Sequence, residues 1–329
     1  MRNEQDSLPA LIDVLANQAR ALDCHVIGCF YLDSCTDDSA VILENARARA
    51  PFEIRMAQGS SAFVPNAGRA RRLAFYLGLA ALDHAPDAVL LTTDADSLPA
   101  ADWLHANLDA LGHAEIVAGE IRQSDTGFSH HHARVERYFN RLHQLNRAVD
   151  PVPWEAPATH HYAGGASLAM TASTYAILGG FQDHPRGEDA LLIETAAWHG
   201  LRVRRDARVG VVTSTRRVGR VDLGFAAHLR GLDETESTDE IMVADPRVAI
   251  AQYRRHAYAR QIFRGADEEA LTTFAADLGL STRAVHDVHD ASPNAEAFAM
   301  RVVERPDSAP LRLIEAEQIQ DTLMTIYLR

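Results

Sequence analysis

Between about residue 8 and residue 121 the apolar side chains switch repeatedly between a helical and an extended period, and that alternation limits the fold more than any other feature. Leu8, Leu11, Ile12, Leu15, Ala19 and Leu22 recur at helical spacing, with Asp6 or Ser7 ahead of them as an N-cap. Val26 to Leu32 is then an uninterrupted apolar run, as a strand buried on both faces would be. A short helix over Ala40 to Ala48 precedes Phe52, Ile54 and Met56, which alternate as a strand does. Next come a longer helix from about Asn66 to Leu82 and a second buried strand over Ala88 to Thr93. A helix opened by Pro99 carries Leu104, Leu108 and Leu111, and Ile116 to Ile121 is strand again. Strands alternating with helices of this length predict an α/β protein with a mostly parallel sheet flanked by helices.

The remainder is less regular. Arg122 to His160 is polar, rich in His and Arg, and broken by Pro151 and Pro153, so it is expected to be a flexible segment. A helix around Ala172 to Leu178, a Gly179-Gly180 stop and a helix after Glu188 follow, then two β-like pieces, Leu201 to Arg204 and Val209 to Thr213. The acidic stretch Asp233 to Asp245 reads as a linker, and the chain beyond it as a helical extension. The expected division is a domain over 1–232 and a linker with a helical C-terminal extension over 233–329. An α/β sheet normally begins with a strand, whereas this chain begins almost directly on a helix.

Charge and residue type exclude several functions. The 45 acidic residues outweigh 32 basic ones, for a net charge of −13, which argues against a nucleic-acid binder or a basic membrane-surface protein. No lysine occurs, so every one of the 32 basic residues is arginine, a skew that fits a GC-rich bacterial genome. Walker-type nucleotide binding, pyridoxal Schiff bases and aldolase-type imine chemistry all need a lysine amine and are excluded. Cys24, Cys29 and Cys35 match neither a disulfide framework nor a zinc motif, so reduced thiols in a cytoplasmic protein are expected. Arg2 to Asp6 is polar with no apolar run behind it, which is not how a signal peptide opens. The longest stretch without charge, Ala163 to Phe181, is too rich in Gly, Ser and Thr to span a bilayer.

Three acidic groups sit where chemistry is placed in such a sheet. Asp94-Ala95-Asp96 follows the apolar strand ending at Thr93. Residues i and i+2 of an extended chain point the same way, so both carboxylates can meet one ligand at the carboxyl edge of the sheet. Two hard oxygen ligands there suit Mg²⁺ or Mn²⁺; the plainer reading is a turn or a helix-capping pair. Asp33-Ser34-Cys35-Thr36-Asp37-Asp38 follows the strand ending at Leu32 in the same way, or caps the next helix. Glu188-Asp189 opens a helix, where the macrodipole alone stabilises acids. His130-His131-His132 and His160-His161 are consecutive, so their rings diverge in helix and strand alike, and a metal site is not expected at either.

In order along the chain these pieces resemble a family 2 glycosyltransferase of the GT-A fold, a Rossmann-like α/β architecture. The match runs through Arg2-Asn3-Glu4, Asp33 to Asp38, Asn66-Ala67-Gly68-Arg69-Ala70 and Thr93-Asp94-Ala95-Asp96-Ser97. It continues through Gly164 to Met170, Gly179-Gly180-Phe181, Gly187-Glu188-Asp189 and Val212 to Arg217, covering about residues 1 to 230. Two features depart from the family pattern: its usual first strand is missing ahead of Arg2, and Ser34 stands where many members carry a second acid.

The resemblance implies a metal-dependent, inverting transfer of a sugar from a nucleotide-diphosphate sugar donor to an acceptor hydroxyl on a saccharide, lipid or small molecule. Glu4 and Asp33 would contact ribose and base, Asp94 the ribose, and Asp96 the Mg²⁺ or Mn²⁺ on the diphosphate. Asp189 would be the general base, and Glu188 beside it would contact the substrate. Arg69, Arg216 and Arg217 are candidates for the phosphates, because guanidinium forks match phosphate oxygens. No nucleic-acid partner and no transmembrane segment are expected. The extension would cover the acceptor site, mediate homodimerisation or dock at the inner face of the membrane. The rivals are a non-catalytic protein of sugar-nucleotide fold and a haloacid-dehalogenase-like phosphatase. The second normally uses a lysine that this chain lacks.

Overall fold

The computed structural model describes residues 1–59, 66–124, 129–219, 225–235, 237–307 and 309–328. The alternation appears as α1 (Leu8–Ala19), β1 (Ile27–Asp33), α2 (Ser39–Arg47), β2 (Glu53–Gly59), α3 (Ala67–Ala81) and β3 (Val89–Thr92). There follow β4 (Ser97–Pro99), α4 (Trp103–Leu111), β5 (Ile116–Gln123), α5 (His130–Val149), β6 (Leu168–Thr171), α6 (Ala172–Ile177), α7 (Glu188–Trp198) and β7 (Val203–Thr213). The rest is α8 (Phe225–Glu234), β8 (Met242–Val243), α9 (Pro246–Phe263), α10 (Glu268–Asp277), α11 (Thr282–Asp290), α12 (Ala295–Val302), β9 (Leu311–Arg312) and α13 (Leu313–Tyr327).

The chain forms two compact units. The first comprises Met1–Phe128, Ala156–Ile193 and Val203–Arg230; the second comprises Ser129–Glu155, Glu194–Arg202 and Gly231–Arg329. In the first unit β1 and β2 pair in parallel as a two-stranded sheet, and β3-β6-β5-β7-β4 form a five-stranded one. In the larger sheet β3, β5 and β7 run one way and β6 and β4 the other, since β6 is antiparallel to β3 and β5 and β4 is antiparallel to β7. Ile116, Val117 and Ala118 of β5 and Leu168, Ala169 and Met170 of β6 are fully buried, as strands covered on both faces must be. α1 packs Leu8, Leu11 and Ile12 against Phe30 and Leu32 of β1 and Phe52 and Ile54 beside it, while Trp103 and Leu104 of α4 pack with Val117, Ala169 and Val211.

Two stretches differ from the sequence expectation. The two β-like pieces after residue 200 are one strand, β7, whose pairing with β5 jumps from Gly119↔Asp206 to Ile121↔Val211. Five steps of β7 against two of β5 make a bulge, and the bulge breaks the alternation that a single strand would show. The polar segment Arg122 to His160 contains the 20-residue helix α5, capped by Ser129, whose hydroxyl accepts from the amide of His132 at 3.1 Å.

In the second unit Val135, Tyr138 and Leu142 of α5 pack with Leu232, Ile241, Leu313 and Ala316. A second cluster joins Ala259 and Ile262 of α9 to Phe274, Val285 and Phe298. Side-chain caps at Asp245, Asp267, Ser281 and Asn294 start α9, α10, α11 and α12. Among the described residues no helix is long and apolar enough to cross a membrane.

Candidate functional site

The carboxyl ends of β1 and β3 open, within the first unit, onto a cavity of about 850 Å³. Glu4, Asp33, Asp94, Asp96, Glu188 and Asp189 line it, together with Arg71 and Arg216. Asp33 is the last residue of β1, and Asp94 and Asp96 lie in the short turn between β3 and β4, where Ser97 N–H donates to the Asp94 carbonyl at 3.0 Å. The turn is tied to the end of β7: the hydroxyl of Ser97 donates to Thr213 at 3.0 Å, and Ser214 N–H donates to the Asp96 carbonyl at 3.2 Å. The strand below is fixed to the loop before β6, because Thr92 donates its hydroxyl proton to the Gly165 carbonyl at 2.6 Å.

Two arginines stitch the acids together. Arg216 holds Glu4 fork on fork, with nitrogens 2.7 and 2.6 Å from the two carboxylate oxygens, and stands 3.1 Å from Asp96. Arg71, on the inner face of α3, donates to Asp94 at 2.5 Å and forms an ion pair with Glu188, which is only 2% exposed. The guanidinium of Arg71 lies against Gly165, where a Cβ would meet its carbon at 2.4 Å, so a side chain there would have to displace the guanidinium. Gly165 N–H in turn donates to Asp189 Oδ2 at 2.7 Å, while Asp189 Oδ1 accepts from Ala190 N–H at 2.8 Å. Both oxygens of Asp189 are therefore oriented by backbone donors, one before β6 and one in the first turn of α7.

With Asp87, Arg2 and Arg186 also on the lining, seven carboxylates stand against four guanidinium groups, so the cavity keeps excess negative charge. Asp96 registers it: burial first, then the neighbouring Asp94 carboxylate, pushes its pKa up to about 6, partly offset by Arg216. Burial alone would lower the pKa of Arg71, yet the surrounding acids, Asp94 foremost and then Asp189, hold it above the ordinary value.

The placement of the sequence candidates is uneven. Glu4, Asp33, Asp94, Asp96, Glu188, Asp189 and Arg216 share the cavity. Arg69 and Arg217 are not among its lining residues. The Arg69 amide donates to the Asn66 side chain at 2.8 Å as part of the α3 cap, and the Arg217 side chain donates to the Thr215 carbonyl at 2.5 Å. Arg71 and Gly165 were not singled out from sequence. Arg71 lies two residues from Arg69 in a run with three arginines, and only the phase of α3 from its Asn66 cap separates the one that faces the acids.

Among the described residues no group of three or more His, Cys, Asp and Glu stands close enough to hold a metal ion unaided. His130 to His132 lie in the first turn of α5. His160 is buried, with Nδ1 accepting from Tyr162 N–H at 3.1 Å; burial, the Arg205 guanidinium and His161 push its pKa down to about 4. His161 is likewise pushed down to about 4, by burial and Arg205. Both rings are therefore neutral at pH 7.

No protein-family model and no curated protein matches the chain. Among solved structures it is similar to the mannosyltransferase PcManGT from Pyrobaculum calidifontis in complex with GDP-Man and Mn²⁺, at 17% identity over 100% of this chain and 79% of that one, with a TM-score of 0.46. It is similar to S. aureus TarS 1-349 in complex with UDP-GlcNAc, at 12% identity over 98% and 90% of the two chains, TM-score 0.46. A third likeness is to GalNAc-T7 with UDP, GalNAc and Mn²⁺, at 12% identity over 83% of this chain and 53% of that one, TM-score 0.39.

Proposed function

We propose that the chain is a metal-dependent, inverting glycosyltransferase of GT-A type that uses a nucleotide-diphosphate sugar as donor. The observation that carries this reading is the convergence, at the carboxyl ends of β1 and β3, of Asp94 and Asp96 with Asp189 from the start of α7. A diphosphate entering so acidic a cavity needs positive charge, and the two arginines beside Asp94 and Asp96, Arg71 and Arg216, are already engaged with acids. The available donors are hard carboxylate oxygens, and burial raises the pKa of one of them, Asp96, which is a set that would fit Mg²⁺ or Mn²⁺. Asp96, with Asp94 beside it, would hold the ion. When bound, it would offset the charge that develops on the departing diphosphate.

The chain's own residues account for the other half of the chemistry. Asp189 would accept the proton of the acceptor hydroxyl as that oxygen forms its bond to the anomeric carbon. The bond from that carbon to the diphosphate breaks on the opposite side, so configuration inverts. Gly165 N–H, bonded to Oδ2 of Asp189, keeps the carboxylate aimed without supplying a proton to it. Glu4 and Asp33 are acceptors suited to ribose and base donors, and Arg216, between Glu4 and Asp96, is placed to turn a guanidinium nitrogen to a phosphate.

The test is release of nucleoside diphosphate from UDP-, GDP- and dTDP-sugars with Mn²⁺ present, comparing the wild-type protein with Asp189→Asn. The reading requires turnover of one nucleotide series and a loss of about 100-fold or more in the variant. Unchanged turnover in Asp189→Asn would remove Asp189 as the base.

A further inference from the structure

Arg186 is a cation of the cavity that the acids around it leave unpaired. It stands on the lining between Pro185 and Gly187, just ahead of Asp189 in the chain, and its side chain is exposed. Every acid close to it in sequence has another partner. Asp183 accepts from the side-chain amide of Asn66 at 2.6 Å and lies 3.6 Å from Arg72. Glu188 pairs with Arg71, and Asp189 takes its donors from the Gly165 and Ala190 backbone. Among the described residues no hydrogen bond or ion pair engages the Arg186 guanidinium.

The backbone that carries Arg186 is fixed on both sides. Gly68 N–H, in the first turn of α3, donates to the His184 carbonyl at 3.1 Å, and Leu191 N–H, in α7, donates to the Gly187 carbonyl at 3.0 Å. Pro185 has its own φ locked by its ring, and Gly187 sits at a φ of +72°, where a side chain would be strained. The guanidinium therefore belongs to the lip of the cavity by construction, beside the carboxylate read as the base. An anion approaching this acidic cavity is repelled overall, so it needs a local cation that no acid has already claimed.

We propose that Arg186 is the anion-binding contact of the acceptor site, so that the hydroxyl delivered to Asp189 belongs to a molecule bearing a phosphate or a carboxylate. A guanidinium fork can meet either group with two parallel N–H···O bonds. The donor diphosphate is a different anion: it goes with the turn that carries Asp94 and Asp96, where Arg216 stands between Asp96 and Glu4. The inference rests on the reading of Asp189 as the base of a glycosyl transfer and names the class of acceptor.

The experiment measures nucleoside diphosphate release with matched acceptors: glucose against glucose 6-phosphate and glucuronate, and glycerol against glycerol 3-phosphate. The wild type is expected to favour an anionic member over its neutral partner by about tenfold or more in kcat/KM. Arg186→Gln should bring that ratio near one by raising KM for the anionic acceptor, and Arg186→Lys should recover part of it. Arg2→Gln removes another cavity guanidinium, next to the Met1 that bonds Tyr31 and Asp33 of β1, and should leave the ratio as in wild type. Titration of the protein with glycerol 3-phosphate and with glucuronate, followed by calorimetry without nucleotide, makes the same comparison independently of turnover: binding to wild type and its loss in Arg186→Gln support the proposal. Failure of the wild type to turn over any donor would count against the glycosyl transfer, whereas the titration still decides the anion contact. The proposal is overturned if neither anion binds and none is preferred, if Arg186→Gln keeps the preference, or if Arg2→Gln removes it equally, which would mean a general field. It is also overturned if Arg186→Gln instead weakens the Tm shift given by nucleotide, which would place the guanidinium on the donor.

Discussion

The carboxylate of Glu188, 2% exposed at the start of α7, is neutralised by the guanidinium of Arg71 on α3. The same guanidinium reaches Asp94 at 2.5 Å, so one side chain joins the turn after β3 to the start of α7. Removing it strands a buried charge. Arg71→Ala is expected to cost about 3–5 kcal/mol, read by urea denaturation. Arg71→Lys should recover only part, since an ammonium cannot reach two acids with a planar fork. Adding Glu188→Gln to Arg71→Ala should restore stability, and strictly additive losses would contradict the pairing.

Asp96 is where stability and function conflict. Its pKa, raised from 3.8 to about 6, means that ionising it at neutral pH works against the fold. Asp96→Asn is therefore expected to stabilise the metal-free protein by about 1–2 kcal/mol, measured as a higher Tm in chelator, while abolishing any shift given by Mn²⁺. A destabilised, metal-responsive variant would contradict this.

His160 and His161 predict acid sensitivity. Each has a folded pKa near 4 against 6.5 for the ordinary group, so the fold holds the neutral rings and the unfolded chain takes up protons first. Their contribution is fully present above pH 6.5 and is lost as pH falls from 6.5 towards 4. For His160 this is up to about 3 kcal/mol. Denaturation at pH 7 and pH 5 should show a steeper loss in wild type than in His160→Asn, and equal slopes would refute the assignment.

Gly68, in the first turn of α3, lies where a Cβ would sit 2.0 Å from the Gln182 carbonyl oxygen. The Gly68 amide also donates to the His184 carbonyl at 3.1 Å, so α3 is seated directly on that loop. Gly68→Ala should lower stability by about 1–3 kcal/mol and weaken nucleotide binding through displacement of Arg71. A neutral effect on both would show that the loop yields.

The strand-then-acid pattern made Asp33, Asp94 and Asp96 legible, because an apolar run followed by a carboxylate marks a strand end whatever the tertiary context. Arg71 was not legible: Arg69, Arg71 and Arg72 are alike in sequence, and only packing of α3 chooses one. For α5 the signal existed, in Val135, Tyr138, Leu142 and Leu145 at helical spacing, but arginines and histidines between them hid a narrow apolar stripe. The bulge in β7 has no local signature, since its extra residues are set by the partner strand β5.

The central claim is tested most directly by thermal shift of the purified protein against UDP, GDP, dTDP and their sugar conjugates, with and without Mn²⁺, beside Asp96→Asn. A ligand at about 100 times its Kd adds about 2.7 kcal/mol. The account predicts a shift of several degrees that needs both one nucleotide series and Mn²⁺ and is lost in Asp96→Asn. A well-folded protein that no nucleotide shifts, or a shift indifferent to Mn²⁺ and to Asp96, would contradict it.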